Sequence, residues 1–274
     1  MNKSDDVIVF AHRGFRGVAP ENTLLAAERA FELGCEWWEL DVAASRDGTL
    51  VVVHDDSLKR TTDAAARFPS RKPWTVYDFD LAEIETLDAG SWYGRADPFG
   101  QVASGRVTAA ELAGFAGLRI PSLRAALELT KARGKRVNVE IKDATGHPCD
   151  AWIVERVVAL IRELGLADRV LVSSFNHEYL RRVKRAAPEL EIGALVERRP
   201  ASLVPLLEEL GARSYNPGLR DLDEATVAEV RDAGFDVFVW TANEDADLRK
   251  LVDWGVTGVF TDFPDRLYRI LAEK

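Results

Sequence analysis

Short apolar runs alternate with longer amphipathic segments along most of the chain, which indicates buried strands separated by helices. Eight apolar runs predict the main strands, at residues 7–11, 37–42, 136–141, 170–174, 191–196, 214–216, 236–240 and 258–261. A helix is predicted after each of these strands. This order is typical of a (β/α)₈ TIM barrel, which is an α/β fold. A doubly wound open sheet is the alternative, but no GxGxxG turn opens the first predicted helix.

Turn and capping residues mark where several of these elements begin. The Asp47-Gly48 pair is a hairpin signal, so residues 50–53 are predicted to return antiparallel to the second strand. Asn22 follows a proline turn and is predicted to cap the first helix. Asp262, just before the last helix, is predicted to cap that helix rather than to bind a ligand.

The regular alternation is lost between about residues 58 and 118. That stretch contains several tryptophan, tyrosine and phenylalanine residues among glycines and prolines. A long irregular segment inside a regular domain is usually functional or disordered, and the aromatic residues favour an ordered structure. We therefore predict a single TIM-barrel domain over residues 1–274, with residues 58–118 as a lid or subdomain inserted after the second strand.

Composition and charge narrow the class of protein. A chain of 274 residues with 47% hydrophobic and 30% charged residues is long enough for one barrel and has the composition of an ordinary globular protein. A net charge of −9 argues against a nucleic-acid partner, because phosphate backbones bind basic surfaces. No apolar run is long enough to be a transmembrane segment, and residues 1–6 do not resemble a signal peptide, so a cytoplasmic location is expected. Cys35 and Cys149 are far apart and suggest neither a disulfide nor a zinc site.

Candidate chemistry begins with Glu39 and Asp41 in the second strand. Side chains two residues apart on a strand point to the same face, so these two carboxylates are expected to lie side by side. Two buried carboxylates repel each other unless they share a proton or hold a cation. The pair by itself leaves both arrangements open.

Glu140 and Lys142 repeat the same two-residue spacing at the end of the third main strand. Active sites of TIM barrels lie at the carboxyl ends of the strands, so Glu140 should join Glu39 and Asp41 there. Three oxygen ligands favour one hard divalent cation, Mg²⁺ or Ca²⁺, with Mn²⁺ as a further candidate. The alternative is an internal ion-pair cluster of Glu140 with Lys142 and Arg13, which is less favoured because burying such a network is costly.

Two of the four histidines, His12 and His54, follow strands that should flank the carboxylates. Histidine transfers protons near neutral pH, so one could act as general acid and the other as general base. For His54 alone, a structural hairpin histidine bonded to Asp55 is the competing interpretation. His147 in a polar loop and His177 at a helix start are interpreted as structural.

Two tryptophans lie near the predicted strand ends. Trp240 ends the seventh main strand and is predicted to line a pocket. Trp37 shares a strand face with Glu39, so it is predicted with equal weight to pack in the core or to line the pocket.

The residues in order resemble the glycerophosphodiester phosphodiesterase family. The similarity is carried by a series of short blocks along most of the chain, namely Ala11-His12-Arg13-Gly14, Pro20-Glu21-Asn22-Thr23, Glu39-Leu40-Asp41-Val42, Val53-His54-Asp55, Ile120-Pro121-Ser122-Leu123, Val139-Glu140-Ile141-Lys142, Ser174-Phe175-Asn176, Trp240-Thr241 and Gly255-Val256-Thr257-Gly258. Any one block alone is weak support for the resemblance, whereas the whole set in this order is specific for the family. The chain departs from the family pattern at Thr61-Thr62-Asp63 and over residues 95–114, both inside the predicted insertion.

The resemblance implies a fold, a reaction and a set of site residues. It implies a TIM barrel that cleaves a small-molecule glycerophosphodiester into glycerol 3-phosphate and a free alcohol. The implied roles are cation binding by Glu39, Asp41 and Glu140, acid–base catalysis by His12 and His54, phosphate binding by Arg13 and Lys142, and an alcohol pocket shaped by Phe175 and Trp240.

Three alternatives remain beside this hypothesis. A lysophospholipase D-type enzyme would use the same site on lysolipids and would need a large apolar groove next to the insertion. A non-catalytic binder of phosphorylated small molecules would be expected to lack some of the histidines or carboxylates, which are all present. A barrel lyase or aldolase would use Lys142 as its base. The sequence leaves open whether water or the 2-hydroxyl of the glycerol is the nucleophile, and whether the chain forms a homo-oligomer.

Overall fold

The computed structural model describes residues 7–274, so the expected absence of a signal peptide at residues 1–6 lies outside the described residues. The strands of this part of the chain are β1 (Ile8–Ala11), β2 (Trp37–Ala44), β3 (Leu50–Val52), β4 (Arg136–Ile141), β5 (Val170–Ser174), β6 (Glu191–Val196), β7 (Ser214–Pro217), β8 (Asp236–Val239) and β9 (Gly258–Thr261). Its α-helices are α1 (Leu24–Leu33), α2 (Ala64–Arg67), α3 (Leu81–Ile84), α4 (Trp92–Ala96), α5 (Ala109–Phe115), α6 (Leu123–Ala132), α7 (Ile153–Glu163), α8 (His177–Ala186), α9 (Leu203–Leu210), α10 (Glu224–Asp232), α11 (Asp245–Trp254) and α12 (Pro264–Ala272).

Eight of these strands form a closed parallel barrel. Neighbouring strands follow the order β1, β9, β8, β7, β6, β5, β4 and β2, and the pairing of β1 with β2 closes the ring. Strand β3 pairs antiparallel with β2, as the Asp47-Gly48 hairpin signal predicts. The predicted (β/α)₈ TIM barrel is therefore confirmed, and the alternative of an open doubly wound sheet is wrong.

The helices cover the outside of the barrel because each carries an apolar stripe. In α7 the residues Ile153, Val157 and Ile161 recur every four positions and are fully buried. Gly34 ends α1 at a φ of 103°, a left-handed conformation that glycine adopts without steric cost. Cys35 and Cys149 form no disulfide, as their distance in the sequence suggests, and both are buried.

Two predicted helix caps are wrong. The cap of α1 is Thr23, whose hydroxyl accepts a hydrogen bond from the amide of Ala26 at 3.2 Å. Asn22 instead turns towards the barrel mouth. Helix α12 starts after Phe263 without a side-chain cap, and the carboxylate of Asp262 points towards His12. Both side chains instead contact residues of the candidate site, Asn22 with Asp41 and Asp262 with His12.

A cluster of large apolar side chains fills the barrel interior below the carboxylates. It consists of Phe10, Trp37, Leu171, Phe238 and Phe260. Phe10 stacks on Phe260 with 4.4 Å between ring centroids, and the ring of Trp37 lies 5.3 Å from that of Phe10. Trp37 therefore packs in the core, which decides between its two predicted roles.

The segment 58–118 is ordered and lies against the barrel. It contains the short helices α2 to α5, and its aromatic residues join the main hydrophobic core. The hydroxyl of Tyr93, which is fully buried, donates a 2.6 Å hydrogen bond to the carbonyl of Gly17 in the loop after β1. Across residues 7–274, none of the helices combines the length and apolar character that a membrane crossing requires.

Candidate active site

Three carboxylates converge at the carboxyl ends of β2 and β4. Asp41 and Glu140 are register partners in this parallel pair, and Glu39 precedes Asp41 on the same face of β2. One oxygen from each of the three carboxylates lies within 4.8 Å of the others. The structure thus brings together the three residues that the sequence predicts as cation ligands.

Two cations, Lys142 and Arg13, line this cluster. The Lys142 ammonium lies 2.6 Å from Glu140 Oε1 and 3.5 Å from Asp41 Oδ1. The Arg13 guanidinium lies 3.3 Å from Asp41 Oδ2, and the Arg13 amide donates to Glu39 Oε2 at 2.9 Å. The ion-pair cluster considered from the sequence is therefore present, and its contacts leave some buried atoms without partners.

The pKa values of the three carboxyl groups show that Lys142 and Arg13 do not fully neutralise the cluster. Burial, followed by repulsion from Asp41 and Glu140, raises the pKa of Glu39 well above its ordinary value. Burial and repulsion from Asp41 also raise the pKa of Glu140. Burial opposes ionisation of Asp41 as well, but Arg13 and Lys142 hold the pKa of that carboxyl below its usual range.

The chemistry of this cluster fits a hard divalent cation. Asp41 Oδ1 is buried and accepts no hydrogen bond from the described residues, although the Lys142 ammonium lies 3.5 Å away. An unsatisfied buried oxygen is costly, and here it faces two further carboxylates whose pKa values are raised. A cation at this point would satisfy the oxygen and allow the three carboxylates to ionise together.

Asn22 fixes the orientation of Asp41, a contact that the sequence did not predict. Its side-chain amide donates to Asp41 Oδ2 at 2.8 Å, while its carbonyl oxygen accepts from the Asp41 amide at 3.3 Å. Asn22 has a φ of 57°, and asparagine tolerates this left-handed conformation better than most residues. The only sequence signal for this role is the position of Asn22 in the turn after His12-Arg13-Gly14.

His12 lies at the end of β1 and is held by Asp262. Its Nδ1 is 2.7 Å from Asp262 Oδ1, and because a carboxylate only accepts, this nitrogen carries the proton and Nε2 is left as the acceptor. Burial and the nearby Arg13 lower the pKa of His12, although Asp262 opposes part of this effect. Burial would raise the pKa of Asp262, but His12 and Arg16 lower it to about 2. Asn243 also donates to Asp262, at 2.8 Å.

His54 is held in the same way on the other side of the carboxylates. Its Nδ1 lies 2.6 Å from Asp55 Oδ1, so the hairpin contact considered from the sequence is present. Arg60, from the segment 58–118, donates to both oxygens of Asp55 at 2.6 and 3.0 Å. His54 nevertheless faces the same cavity as His12. His54 can therefore contact Asp55 through Nδ1 and still take part in the reaction, because the other side of its ring is available to the cavity.

The cavity has a volume of about 130 Å³ and is lined by both charged and apolar side chains. The wall residues are His12, Arg13, Glu39, His54, Asn138, Glu140, Ser173, Phe175, Leu195, Trp240, Thr241 and Phe260. Phe175 and Trp240 meet edge to face at the mouth with 5.4 Å between ring centroids. Asp41 and Lys142 are not among the residues that line the cavity, but each contacts one that is: Asp41 contacts Arg13 and Lys142 contacts Glu140.

The two remaining histidines do not line this cavity. His147 stacks on Tyr77 with 3.9 Å between ring centroids, and His177 Nε2 lies 2.9 Å from the carbonyl oxygen of Leu195. Their interpretation as structural residues agrees with these contacts.

Comparison with known proteins gives a consistent result over nearly the whole chain. The sequence profile of the glycerophosphoryl diester phosphodiesterase family matches residues 12–266. The chain belongs to this family. The match begins at His12 and its range also includes His54, the three carboxylates of the cluster and Asp262.

Individual relatives of the family are similar along most of their length. A glycerophosphodiester phosphodiesterase of Caldanaerobacter subterraneus subsp. tengcongensis is 35% identical over 97% of this chain and 98% of its own length. One of Bacillus subtilis is 33% identical over 97% of this chain and 87% of its own length. A phosphodiesterase of Oleispira antarctica, solved in complex with the product sn-glycerol-3-phosphate, is 31% identical and superposes with a TM-score of 0.80 over 98% of each chain.

Proposed function

We propose that this chain hydrolyses glycerophosphodiesters to glycerol 3-phosphate and an alcohol. The observation that carries the proposal is the convergence of a three-carboxylate cluster with two aspartate-held histidines on one cavity. A site of this kind offers charge neutralisation and two proton-transfer groups, which phosphodiester cleavage requires. The Oleispira antarctica relative with bound sn-glycerol-3-phosphate supports the identity of the product.

Glu39, Asp41 and Glu140 would hold one divalent cation. All three candidate ions bind carboxylate oxygens. Mg²⁺ and Ca²⁺ are the first candidates, and Mn²⁺ is the third. When bound, the cation would supply Lewis-acid stabilisation to the phosphate oxygens. The unsatisfied Asp41 Oδ1 and the raised pKa of Glu39 support this assignment.

Arg13 and Lys142 are proposed to hold the phosphate. Arg13 lines the cavity, and its guanidinium is anchored by Glu21 through a 2.8 Å ion pair. Burial disfavours the charge of Lys142, but Asp41 and Glu140 raise its pKa, so it remains a cation at neutral pH. Both groups therefore present a fixed positive charge beside the cation site.

His12 and His54 are proposed as the acid–base pair. His12 has a lowered pKa and an unprotonated Nε2, which suits a general base that accepts a proton from the nucleophile. His54, which is more exposed than His12, would donate a proton to the leaving alkoxide. Each aspartate would fix the orientation of its imidazole.

The cavity and its surroundings favour a small polar alcohol over a lysolipid. A groove of about 800 Å³ continues past Trp240 and Thr241, and it contains charged side chains such as Arg220, Asp221 and Lys250. A lysolipid would need a large apolar groove next to the segment 58–118, and none of the described residues that line this groove belongs to that segment. None of the described residues that line the cavity comes from the segment 58–118. We therefore propose that this segment is an inserted subdomain that supports the site rather than a lid over the alcohol, within a single barrel domain.

The proposal is tested by incubating the purified chain with glycerophosphocholine, glycerophosphoethanolamine and a lysophosphatidylcholine. We expect release of glycerol 3-phosphate from the first two with Mg²⁺, Ca²⁺ or Mn²⁺, loss of activity with excess chelator, and recovery when the cation is restored. Faster release of choline from the lysolipid would favour the lysophospholipase D-type alternative. No turnover of any of the three with any of these cations would contradict both.

A further inference from the structure

Glu21 is a buried carboxylate that binds three arginines at once. Its side chain is 2% exposed. It accepts from Arg13 Nη1 at 2.8 Å, from Arg16 Nε at 2.8 Å, and from Arg60 Nη1 and Nη2 at 2.9 and 2.7 Å. Burial would raise the pKa of Glu21, but Arg60, Arg13 and Arg16 lower it well below its ordinary value, so Glu21 is ionised.

Two of these arginines continue towards the histidines. Arg16 Nη1 lies 3.3 Å from Asp262 Oδ1, the atom that contacts His12. Arg60 Nε lies 2.6 Å from Asp55 Oδ2, and the other oxygen of Asp55 contacts His54. Each histidine is therefore joined to Glu21 by one aspartate and one arginine.

We propose that Glu21 is a positioning residue that couples the orientations of His12 and His54 to each other. The inference rests on the proposed function, because it assigns Glu21 a part in that reaction. Glu21 does not itself line the cavity and contacts no carboxylate of the cation site. It contacts one wall residue, Arg13, and it reaches the two histidines through Arg16 and Arg60. We call the path from His12 through Asp262 and Arg16 to Glu21 the first arm, and the path from His54 through Asp55 and Arg60 the second arm.

Charge balance explains why the two arms depend on one residue. Asp262, Asp55 and Glu21 provide three negative charges against the positive charges of Arg13, Arg16 and Arg60. Removal of the Glu21 charge leaves a surplus cation in a largely buried place, which is strongly unfavourable. Arg16 and Arg60 would then move towards their aspartates or towards water, and both aspartates would lose their fixed geometry.

The aromatic residues of the segment 58–118 hold the two arginines in place. The Arg16 guanidinium lies 5.1 Å from the centroid of Phe99, and that of Arg60 lies 6.0 Å from the centroid of Trp92. Arg60 itself belongs to this segment. The segment thus contacts both arms although it does not line the cavity.

The test compares Glu21→Gln, Arg16→Gln and Arg60→Gln in the full chain with Mg²⁺ present. The ¹⁵N chemical shifts of the imidazoles report which ring nitrogen carries the proton, and steady-state kinetics report kcat and KM. Glu155→Gln is the control, because Glu155 accepts two hydrogen bonds from Arg182 on the outside of the barrel.

We expect each arginine variant to disturb the nearer histidine most and the other histidine to a smaller extent, and Glu21→Gln to disturb both strongly. Arg16→Gln should reduce the Nδ1-protonated form of His12 more than that of His54, Arg60→Gln should do the reverse, and Glu21→Gln should reduce that form of both rings. The value of kcat should fall about 10- to 100-fold in Glu21→Gln, with a smaller change in KM, as when a residue that orients a catalytic group is lost. The Glu155→Gln control should retain the wild-type spectrum and kinetics.

A folded Glu21→Gln protein in which either histidine keeps its wild-type tautomer would overturn the inference. If Glu21→Gln does not fold, the double variant Arg16→Gln/Arg60→Gln decides. Coupling predicts a loss in kcat smaller than the product of the two single losses, because cutting one arm already loosens the other. A loss equal to the product would show independent arms. The imidazole spectra need no substrate, so this test is independent of whether the chain cleaves glycerophosphodiesters.

Discussion

Asp41 and Glu140 are register partners on neighbouring parallel strands, and Lys142 lies within 3.5 Å of both carboxylates. Adjacent parallel strands place the side chains of register partners side by side on one face. Glu39 adds a third carboxylate to the same face of β2. Lys142 alone therefore neutralises the cluster only in part.

Replacement of Glu39 by glutamine should leave the metal-free protein as stable as the wild type, or more stable, at pH 7.5. The pKa of Glu39 is raised in the folded state, so this group costs stability as pH rises from about 4.5, its unfolded value, through its folded pKa. Glutamine removes that cost. The measurement is the free energy of unfolding by urea without metal. A clearly lower value for Glu39→Gln than for wild type would contradict the prediction.

Loss of Glu39 should also remove the stabilisation by the cation. A cation that binds only the folded state adds about 2.7 kcal/mol at a concentration 100 times its dissociation constant. We expect Mg²⁺ or Ca²⁺ to raise the unfolding free energy of wild type by an amount of this order, and that of Glu39→Gln by much less. Glu155→Gln, outside the barrel, should respond to the cation as wild type does.

Replacement of either His12 or His54 by alanine should lower kcat by about 10²- to 10⁴-fold, the usual contribution of a general acid or base. The KM should change less, because Arg13 and Lys142 remain to bind the phosphate. His147→Ala is the matched control, since His147 stacks on Tyr77 outside the cavity wall. Activity close to wild type in His12→Ala would refute the acid–base assignment.

Asp262→Asn should lower the rate and move the acid limb of the pH–rate profile to lower pH. Asp262 raises the pKa of His12, so its removal lowers that pKa further, and a general base loses activity only as pH falls through its own pKa. The loss of a fixed Nδ1 proton should reduce kcat by up to about 10⁴-fold. The profile of kcat/KM between pH 4.5 and 8 checks this. An acid limb that moves to higher pH would contradict it.

Phe175→Ala should weaken binding of the alcohol without changing the chemical step. Phe175 contacts Trp240 edge to face at the mouth of the cavity, and it is not one of the residues proposed to bind the phosphate. An aromatic ring beside the cationic choline group contributes about 0.5–1 kcal/mol at an exposed site, so KM for glycerophosphocholine should rise about two- to fivefold. The value of kcat should stay within about twofold of wild type. A large fall in kcat with unchanged KM would place Phe175 in the chemistry instead.

Tyr93→Phe should destabilise the fold and spare the site. The Tyr93 hydroxyl is buried and donates to the carbonyl of Gly17, so its removal leaves a buried acceptor without a partner. The expected loss in unfolding free energy is about 1–3 kcal/mol. A single unfolding transition at the lower midpoint would support one cooperative domain that includes residues 58–118. Two separate transitions would argue for an independent subdomain.

Patterns that depend on strand geometry predicted most of the fold and the core of the site. The two-residue spacings of Glu39 with Asp41 and of Glu140 with Lys142 fix their faces, and the barrel rule brings those faces together. The bounds of β4, β5, β6 and β9 agree with the apolar runs that predict them. The position of His12 directly after β1 follows from the same reasoning.

Contacts between residues distant in sequence were decided only by the tertiary structure. Asp262 and His12 are 250 residues apart, and Asn22 and Asp41 are 19 apart, so local capping preferences predicted the wrong partners for Asp262 and Asn22. The same holds for Glu21, whose contact with Arg60 depends on how the segment 58–118 folds back on the barrel. The sequence by itself determined which side chains face the barrel mouth, because strand periodicity is local. The closed barrel and the packing of the inserted segment decided which of those side chains meet, because charge pairing in a buried site outweighs the weak local preference for a helix cap.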